Sequence, residues 1–194
     1  MLNLENKHTE LLLYQKRRMN YLFTSERLGF RDWKVSDMSK MTAINGNPNV
    51  MQFFPSVQDE IHTARFIQRM QTEFETKGFC YFAVDKLNEN EFIGFIGLSE
   101  QTFESPFTPC VDIGWRLAES AWNQGFATEG AKRCLKYASE VLKLKTVKAI
   151  APELNLNSIR VMQKIGMIKV GSFEHPLLKN FKRLETCIFY EIFY

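Results

Sequence analysis

The octapeptide Trp122-Asn123-Gln124-Gly125-Phe126-Ala127-Thr128-Glu129 is a glycine-bearing turn that runs straight into a helical pattern. Small and apolar residues follow at Ala131, Cys134, Leu135, Ala138, Val141 and Leu142, the i, i+3, i+4, i+7 spacing of a helix with one buried face. Residues 110–117, just before the turn, alternate as a strand with Val111, Ile113, Trp115 and Leu117 on one side. A strand, a short turn and a helix start gather unpaired backbone N–H groups around one point, and the helix dipole adds partial positive charge there. That arrangement suits a phosphate or pyrophosphate. The turn lacks the Lys-Ser/Thr ending of a P-loop and the three spaced glycines of a dinucleotide turn, and a glycine needed only for a bend is the competing reading.

The elements that must hold this turn belong to one ordinary domain, since 194 residues suffice for a full core but not for two comfortable ones. Hydrophobic content of 45% and charged content of 24% are those of a globular chain, and 17 Phe point to a core or cleft built from aromatic faces. The net charge of +3 comes from 25 basic and 22 acidic residues, too small an excess for nucleic acid to be the main partner. Cys80, Cys110, Cys134 and Cys187 are scattered without a Cys-x-x-Cys pair, so they read as reduced small hydrophobes and no metal is expected. The apolar run Leu11-Leu12-Leu13-Tyr14 is too short for a signal peptide and no span reaches transmembrane length. The expected setting is the cytoplasm, with no membrane partner.

Residues 1–22, polar with a basic knot at Lys16-Arg17-Arg18, read as an appended extension, leaving residues 23–194 as the domain. A strand is predicted over 27–32, with Ser36-Asp37 capping a short helix that ends near Asn45-Gly46. Pro48 and Pro55 bracket a segment, residues 49–54, that looks exposed. A second helix is predicted over 59–77, with Ile61, Ala64, Ile67, Met70 and Phe74 on one face and Gly78 as its stop. A hairpin (79–85 and 91–98), the 110–117 strand, a helix over 128–143, a strand over 146–151, a helix over 158–165 and strands over 168–173 and 186–193 complete the order. The result is a mixed α/β (α+β) sheet with about four helices.

This order of elements, together with three blocks of residues, resembles the GNAT superfamily of N-acetyltransferases, and most closely its Rim-type, ribosomal-protein-acetylating branch. The blocks are residues 112–117 (Asp-Ile-Gly-Trp-Arg-Leu), the 122–129 turn, and residues 155–167, which begin Asn155-Leu156-Asn157-Ser158. The opening residues 24–31 and the segment Asn47-Pro48-Asn49-Val50-Met51 also look like that branch, so the resemblance runs from about Thr24 to the C-terminus. It implies a mostly antiparallel sheet splayed at its middle and acetyl-CoA as acetyl donor. The backbone of Gln124, Gly125, Phe126, Ala127 and Thr128 would wrap the pyrophosphate, with Lys132 and Arg133 available to the phosphates or simply solvated. Exposed backbone groups of Ile113, Gly114, Trp115 and Arg116 would meet the pantetheine arm, as would the side chain of Asn155 unless it serves only as a turn residue. In the Rim-type branch Ser158 is a candidate proton donor to the departing thiolate.

Acetyl transfer to an amine requires a neutral nucleophile, and with amine pKa values of about 8 to 10.4 a base or water chain must take a proton near pH 7. Fixed N–H donors stabilise the tetrahedral oxyanion. No Cys has a paired His, so direct attack in a ternary complex is expected rather than a covalent acyl-enzyme. The position commonly held by a general-acid Tyr, seven after Asn155, is Met162, and proton delivery falls to Ser158 or water. His175 is the favoured base, with Asp112, Glu174 and Glu100 as alternatives; a surface loop histidine is the plain reading.

The acceptor is expected to be a protein N-terminus or a small-molecule amine, because no acidic cluster announces a polycation. Phe53, Phe54, Phe103 and Phe107 are candidate walls of its cleft or members of the core. A homodimer is left open. A catalytically silent acyl-CoA-binding or sensing module is the alternative function, resting on Met162 and the undecided base.

Overall fold

A computed structural model describes residues 21–194, so the extension expected over 1–22 lies outside the described residues except for Tyr21 and Leu22. Its strands are β1 (Phe23–Thr24), β2 (Leu28–Arg31), β3 (Tyr81–Lys86), β4 (Glu91–Gln101), β5 (Cys110–Leu117), β6 (Thr146–Pro152), β7 (Ile168–Glu174) and β8 (Thr186–Phe193). They form one mixed sheet in the order β1-β2-β3-β4-β5-β6-β8-β7. Every neighbouring pair is antiparallel except β5 and β6, which run parallel and are joined at Asp112↔Lys148. On its other edge β6 is zipped to β8 from Thr146↔Phe193 to Pro152↔Cys187. The two halves of the sheet therefore hold together internally and part beyond Asp112. This is the expected splayed sheet.

Six helices flank it among the described residues: α1 (Met38–Gly46), α2 (Pro48–Met51), α3 (Glu60–Lys77), α4 (Phe126–Glu140), α5 (Leu156–Lys164) and α6 (Lys182–Glu185). The two beyond the expected four, α2 and α6, have four residues each, too few for a periodicity to be read. Within the segment 49–54, α2 folds Val50 and Met51 into the core, while Asn49, Gln52 and Phe54 are exposed as the flanking prolines suggest. Asp59 caps α3 by accepting the His62 N–H at 2.8 Å, and Gly78 ends it at φ 75°. The buried face of α3 is Thr63, Ile67 and Met70, while Ile61 is 61% exposed. Thr63 can sit inside because its hydroxyl accepts from Asn45 at 2.9 Å and donates to the Asp59 carbonyl at 2.8 Å.

Asp37 stands at the expected N-cap position of α1, but its side chain makes no cap bond there; it accepts the Lys34 N–H of the preceding turn at 2.8 Å and meets Arg31. Its carboxylate takes both Nη groups of Arg31 at 2.7 and 2.9 Å, and Asp85 takes Nε and Nη2 of the same guanidinium at 2.7 Å. Burial works against this cation, but the two carboxylates outweigh it and raise its pKa. The fully buried layer is Leu28, Phe30, Met41, Met70, Phe82, Ile93, Ile96 and Leu98. Helix α4 lies close on it at Gly130, where a Cβ would come within 2.3 Å of Ile96 Cδ1. That approach fixes where the N-terminus of α4 meets the sheet. Val141, expected on the buried face of this helix, lies past its end and is exposed. Among the described residues no helix is long and apolar enough to cross a membrane, and no group of His, Cys, Asp and Glu could hold a metal ion.

Candidate active site

Gly125 is the N-cap of α4 and stands at φ 81°, ψ 0°, with Asn123 before it also in the left-handed region at φ 59°. Two left-handed residues in three turn the chain sharply enough to aim successive N–H groups into one space. The Glu129 N–H reaches the Gly125 carbonyl at 3.0 Å, whereas none of the N–H groups of residues 124–128 finds a protein acceptor among the described residues. A carboxylate clamps the turn from behind. Glu129 accepts from Ser25 Oγ at 2.6 Å, from the Arg27 N–H at 2.8 Å and from Arg27 Nε at 2.7 Å. Arg27 also donates from Nη1 to the Gln124 carbonyl at 3.0 Å and lies over the Phe126 ring at 4.5 Å. Burial alone would raise the Glu129 pKa, but the bonds from Ser25 and Arg27 hold it below the usual carboxylate range. Sequence reasoning assigned Arg27 and Glu129 no role, although an acid in the first turn of a helix is a readable signal.

Of the two basic residues considered for the phosphates, Arg133 is occupied elsewhere. Its Nε donates to the Thr24 carbonyl at 2.9 Å and its guanidinium covers the Phe23 ring. Lys132 is exposed.

One cavity of about 1110 Å³ runs from the turn through the opening between β5 and β6. It brings together Asp112, Ile113, Gly114 and Trp115 of β5 with Gly125, Phe126, Ala127 and Thr128 of the turn. Asn155, Ser158 and His175 line it too. Gln124 does not; its side chain donates to the Ser120 carbonyl at 2.8 Å, so only its backbone remains available to the turn. Asn155 caps α5 by accepting the Ser158 N–H at 3.1 Å, which leaves its amide nitrogen and the Ser158 hydroxyl without protein partners among the described residues. The turn-residue and ligand roles of Asn155 are thus compatible. Met162, on the next turn of α5, is 1% exposed and packs as core. The orphan N–H groups of the helix start and the unladdered edge of β5 open into the same cavity, and a molecule with a diphosphate at one end and an amide-bearing arm fits that donor set.

On the other face of the sheet Asp112 is 7% exposed, and its Oδ1 accepts from Tyr81 Oη at 2.6 Å and from Gln101 Nε2 at 3.0 Å. Burial pushes its pKa up to about 6, against the pull of those two bonds. Burial and the neighbouring carboxylate drive the Tyr81 phenol well up, so it stays protonated. Gly114 gives the Tyr81 ring room, since a Cβ there would stand 3.0 Å from it and press it aside by a few tenths of an ångström. Tyr81, on a strand remote in sequence from Asp112, and Gln101, at the end of the preceding strand, were not singled out from the sequence.

His175 lies at the cleft against the Phe103 ring, with centroids 4.3 Å apart, and burial lowers its pKa. Its Nδ1 accepts the Leu177 N–H at 3.3 Å, so the neutral ring carries its proton on Nε2. Glu100 is ion-paired with Lys77, and Glu174 accepts from Thr186 Oγ1; neither lines the cavity. Phe53, Phe54 and Phe103 do, while Phe107 packs on Phe189 at 4.3 Å. The Cys187 thiol at the cavity wall is pushed up to about 12 by burial, which removes it as a nucleophile near pH 7.

Residues 27–168 match the acetyltransferase (GNAT) domain family. The chain belongs to the GNAT family. Its similarity to the uncharacterized N-acetyltransferase YnaD of Bacillus subtilis is 28% identity over 158 residues, 81% of this chain and 88% of that one. A GNAT acetyltransferase structure from Bacillus anthracis superposes with a TM-score of 0.72 at 27% identity, covering 88% of this chain and 96% of that one. RimL, the ribosomal L7/L12 α-N-protein acetyltransferase, in complex with coenzyme A (15% identity; 89% and 97% of the two chains), reaches a TM-score of 0.68. Spermidine N-acetyltransferase from Vibrio cholerae, in complex with CoA and spermine (17% identity; 86% and 95%), reaches the same score. Those two likenesses show the fold alone, and their equal scores leave the Rim-type branch one structural neighbour among several. As a GNAT enzyme the chain is an acyltransferase that uses acetyl-CoA.

Proposed function

We propose that this chain transfers the acetyl group of acetyl-CoA to a primary amine by direct attack in a ternary complex. The observation that carries the reading is one cavity with unbonded helix-start N–H groups on one side of the splayed sheet and a buried, ionisable carboxylate on the other. The N–H groups of residues 124–128 hold the diphosphate of the donor. Backbone groups of Ile113, Gly114 and Trp115, with the free amide of Asn155, orient the arm that carries the thioester and polarise its carbonyl. The amine arrives from the face of Asp112.

Asp112 is the base we favour. With a pKa of about 6 it is mostly ionised at neutral pH yet far more basic than an exposed aspartate. Tyr81 and Gln101 fix Oδ1 and leave Oδ2 for the amine or a bridging water. His175 is less suited, because taking a proton on Nδ1 would cost its bond from the Leu177 N–H. Ser158 is the proton donor to the thiolate, its hydroxyl lining the cavity without a protein partner among the described residues, on the helix where Met162 offers no proton. The acceptor is a protein N-terminus or a small-molecule amine.

Thiol release from acetyl-CoA, followed with the purified chain over a panel of amines and N-terminal peptides, tests the reading. Turnover on at least one amine supports it. Binding of acetyl-CoA with no thiol release on any amine would favour the catalytically silent module.

A further inference from the structure

Residues of β5 alternate between the two faces of the sheet, so Asp112, Gly114 and Arg116 share one face. Arg116 stands opposite Phe95 in the β4 ladder and lines the cavity. Its guanidinium lies 4.1 Å from the centre of the Phe54 ring and 5.5 Å from that of Phe95. Nη1 donates to Asn45 Oδ1 at 2.7 Å, an amide and not a carboxylate. Nε is buried with no partner, and Nη2 has no protein acceptor among the described residues. Burial pulls the pKa of this arginine down to about 10.

Arg31, more deeply buried, shows the contrast. It meets two carboxylates within 2.7 Å. A half-buried guanidinium held by aromatic rings and one amide, with its Nε fully inside, carries a charge without a counter-ion, which is costly in a folded protein. The surroundings add to it. Arg65 and Arg69 of α3 line the same cavity; Arg65 has no ion-pair partner among the described residues, and Arg69 reaches Glu73 only at 4.0 Å. His62, also there, is paired with Asp59. Asp112 is the one acidic residue among those lining the cavity.

We propose that Arg116 binds a carboxylate of the acceptor, so that the amine taken by this enzyme carries an anionic group as well. The inference rests on the reading that this cleft takes an amine. It narrows the acceptor to amino-carboxylates, including short peptides with a free carboxylate, and sets it against diamines and polyamines, which would meet three arginines. A planar fork with free Nη2 donors suits a carboxylate, and the flanking Phe54 and Phe95 faces cover part of the guanidinium from competing water. On the sequence alone only the backbone of Arg116 drew notice, since the missing counter-ion is visible only when strands and helices are brought together.

Calorimetry on the full chain with CoA bound tests this without requiring turnover. The probes are matched pairs: ω-amino carboxylates of three to six carbons and glycylglycine, each against its carboxamide, with 1,5-diaminopentane and O-phosphoethanolamine alongside. The carboxylate member should bind at least about tenfold tighter than its carboxamide, the loss expected when one charged fork goes unused. Arg116→Gln should bring the pair to within about twofold with CoA affinity unchanged, and Arg116→Lys, which keeps the charge and serves if the glutamine variant fails to fold, should retain part of the discrimination. Equal affinity within every pair, discrimination that survives Arg116→Gln, tighter binding of O-phosphoethanolamine than of any carboxylate, or a parallel loss of CoA affinity would overturn the proposal. Discrimination with no thiol release on any amine would uphold the site while overturning acetyl transfer; thiol release with no discrimination would do the reverse.

Discussion

Replacing Asp112 by asparagine should stabilise the protein and nearly silence it. The carboxylate goes from an ordinary pKa of 3.8 to about 6 on folding. Each decade of proton affinity is about 1.4 kcal/mol, so the ionised form costs the fold about 3 kcal/mol. The folded pKa lies above the unfolded one. The stability this group contributes is therefore intact below about pH 3.8 and lost as pH rises through about 6. Asparagine removes the charge and can still accept from Tyr81 and Gln101 through Oδ1, at the cost of a new N–H₂ to satisfy. At pH 8 the variant should gain at most about 3 kcal/mol, roughly 6–12 °C in melting temperature for a domain of this size. At pH 4 the gain should vanish. In the thiol-release assay wild-type kcat/KM should rise through about pH 6 as Asp112 ionises, and the variant should lose that limb together with about 10²-fold or more in rate. A stability difference independent of pH would show that the carboxylate is not desolvated, and an unchanged pH–rate profile would remove Asp112 as the base.

Further outcomes concern the turn, the thiolate and the core. Glu129→Gln weakens three hydrogen bonds behind the turn, and because Arg27 is partly exposed the loss should be about 1–2 kcal/mol, with donor affinity falling about tenfold by calorimetry; full affinity would mean the turn is held some other way. Gly125→Ala leaves room for its Cβ, 3.5 Å from Arg27 Nη2, but not for its φ of 81°, and should cost about 1–2 kcal/mol in urea denaturation as well as donor affinity. Ser158→Ala keeps the backbone bond to Asn155 and should lower kcat while sparing acetyl-CoA affinity; an unchanged kcat would assign the proton to water. Arg31→Met strands Asp37 and Asp85 and should destabilise by about 3–5 kcal/mol, read from the urea midpoint, with a null effect showing the triad to be dispensable.

What the chain's own pattern disclosed was mostly local. The 110–117 and 186–193 strands and the capped helix after Asp59 are legible because alternation, an Asx cap and a terminal glycine act within a few residues. The glycine turn into α4 is legible for the same reason, whereas α5 starts at Leu156, two residues before the predicted position. Long-range pairing left weaker traces. Asp37 resembles a helix cap until Arg31 and Asp85 are set beside it. Arg133 resembles a phosphate ligand until Thr24 and Phe23 are packed against it. Tyr81 reaches Asp112 across the intervening β4, over Gly114, whose missing side chain leaves its ring room. His175 drew attention because histidine titrates near neutrality, whereas the competing aspartate acquires its basicity only through burial.

The central claim is that a helix start and a parted sheet together hold the acetyl donor. A crystal structure of the chain with coenzyme A tests it most directly. Diphosphate oxygens within hydrogen-bond distance of the backbone nitrogens of residues 124–128, with the arm threaded between β5 and β6, are the predicted result. Coenzyme A bound elsewhere, with those nitrogens facing solvent, would contradict it.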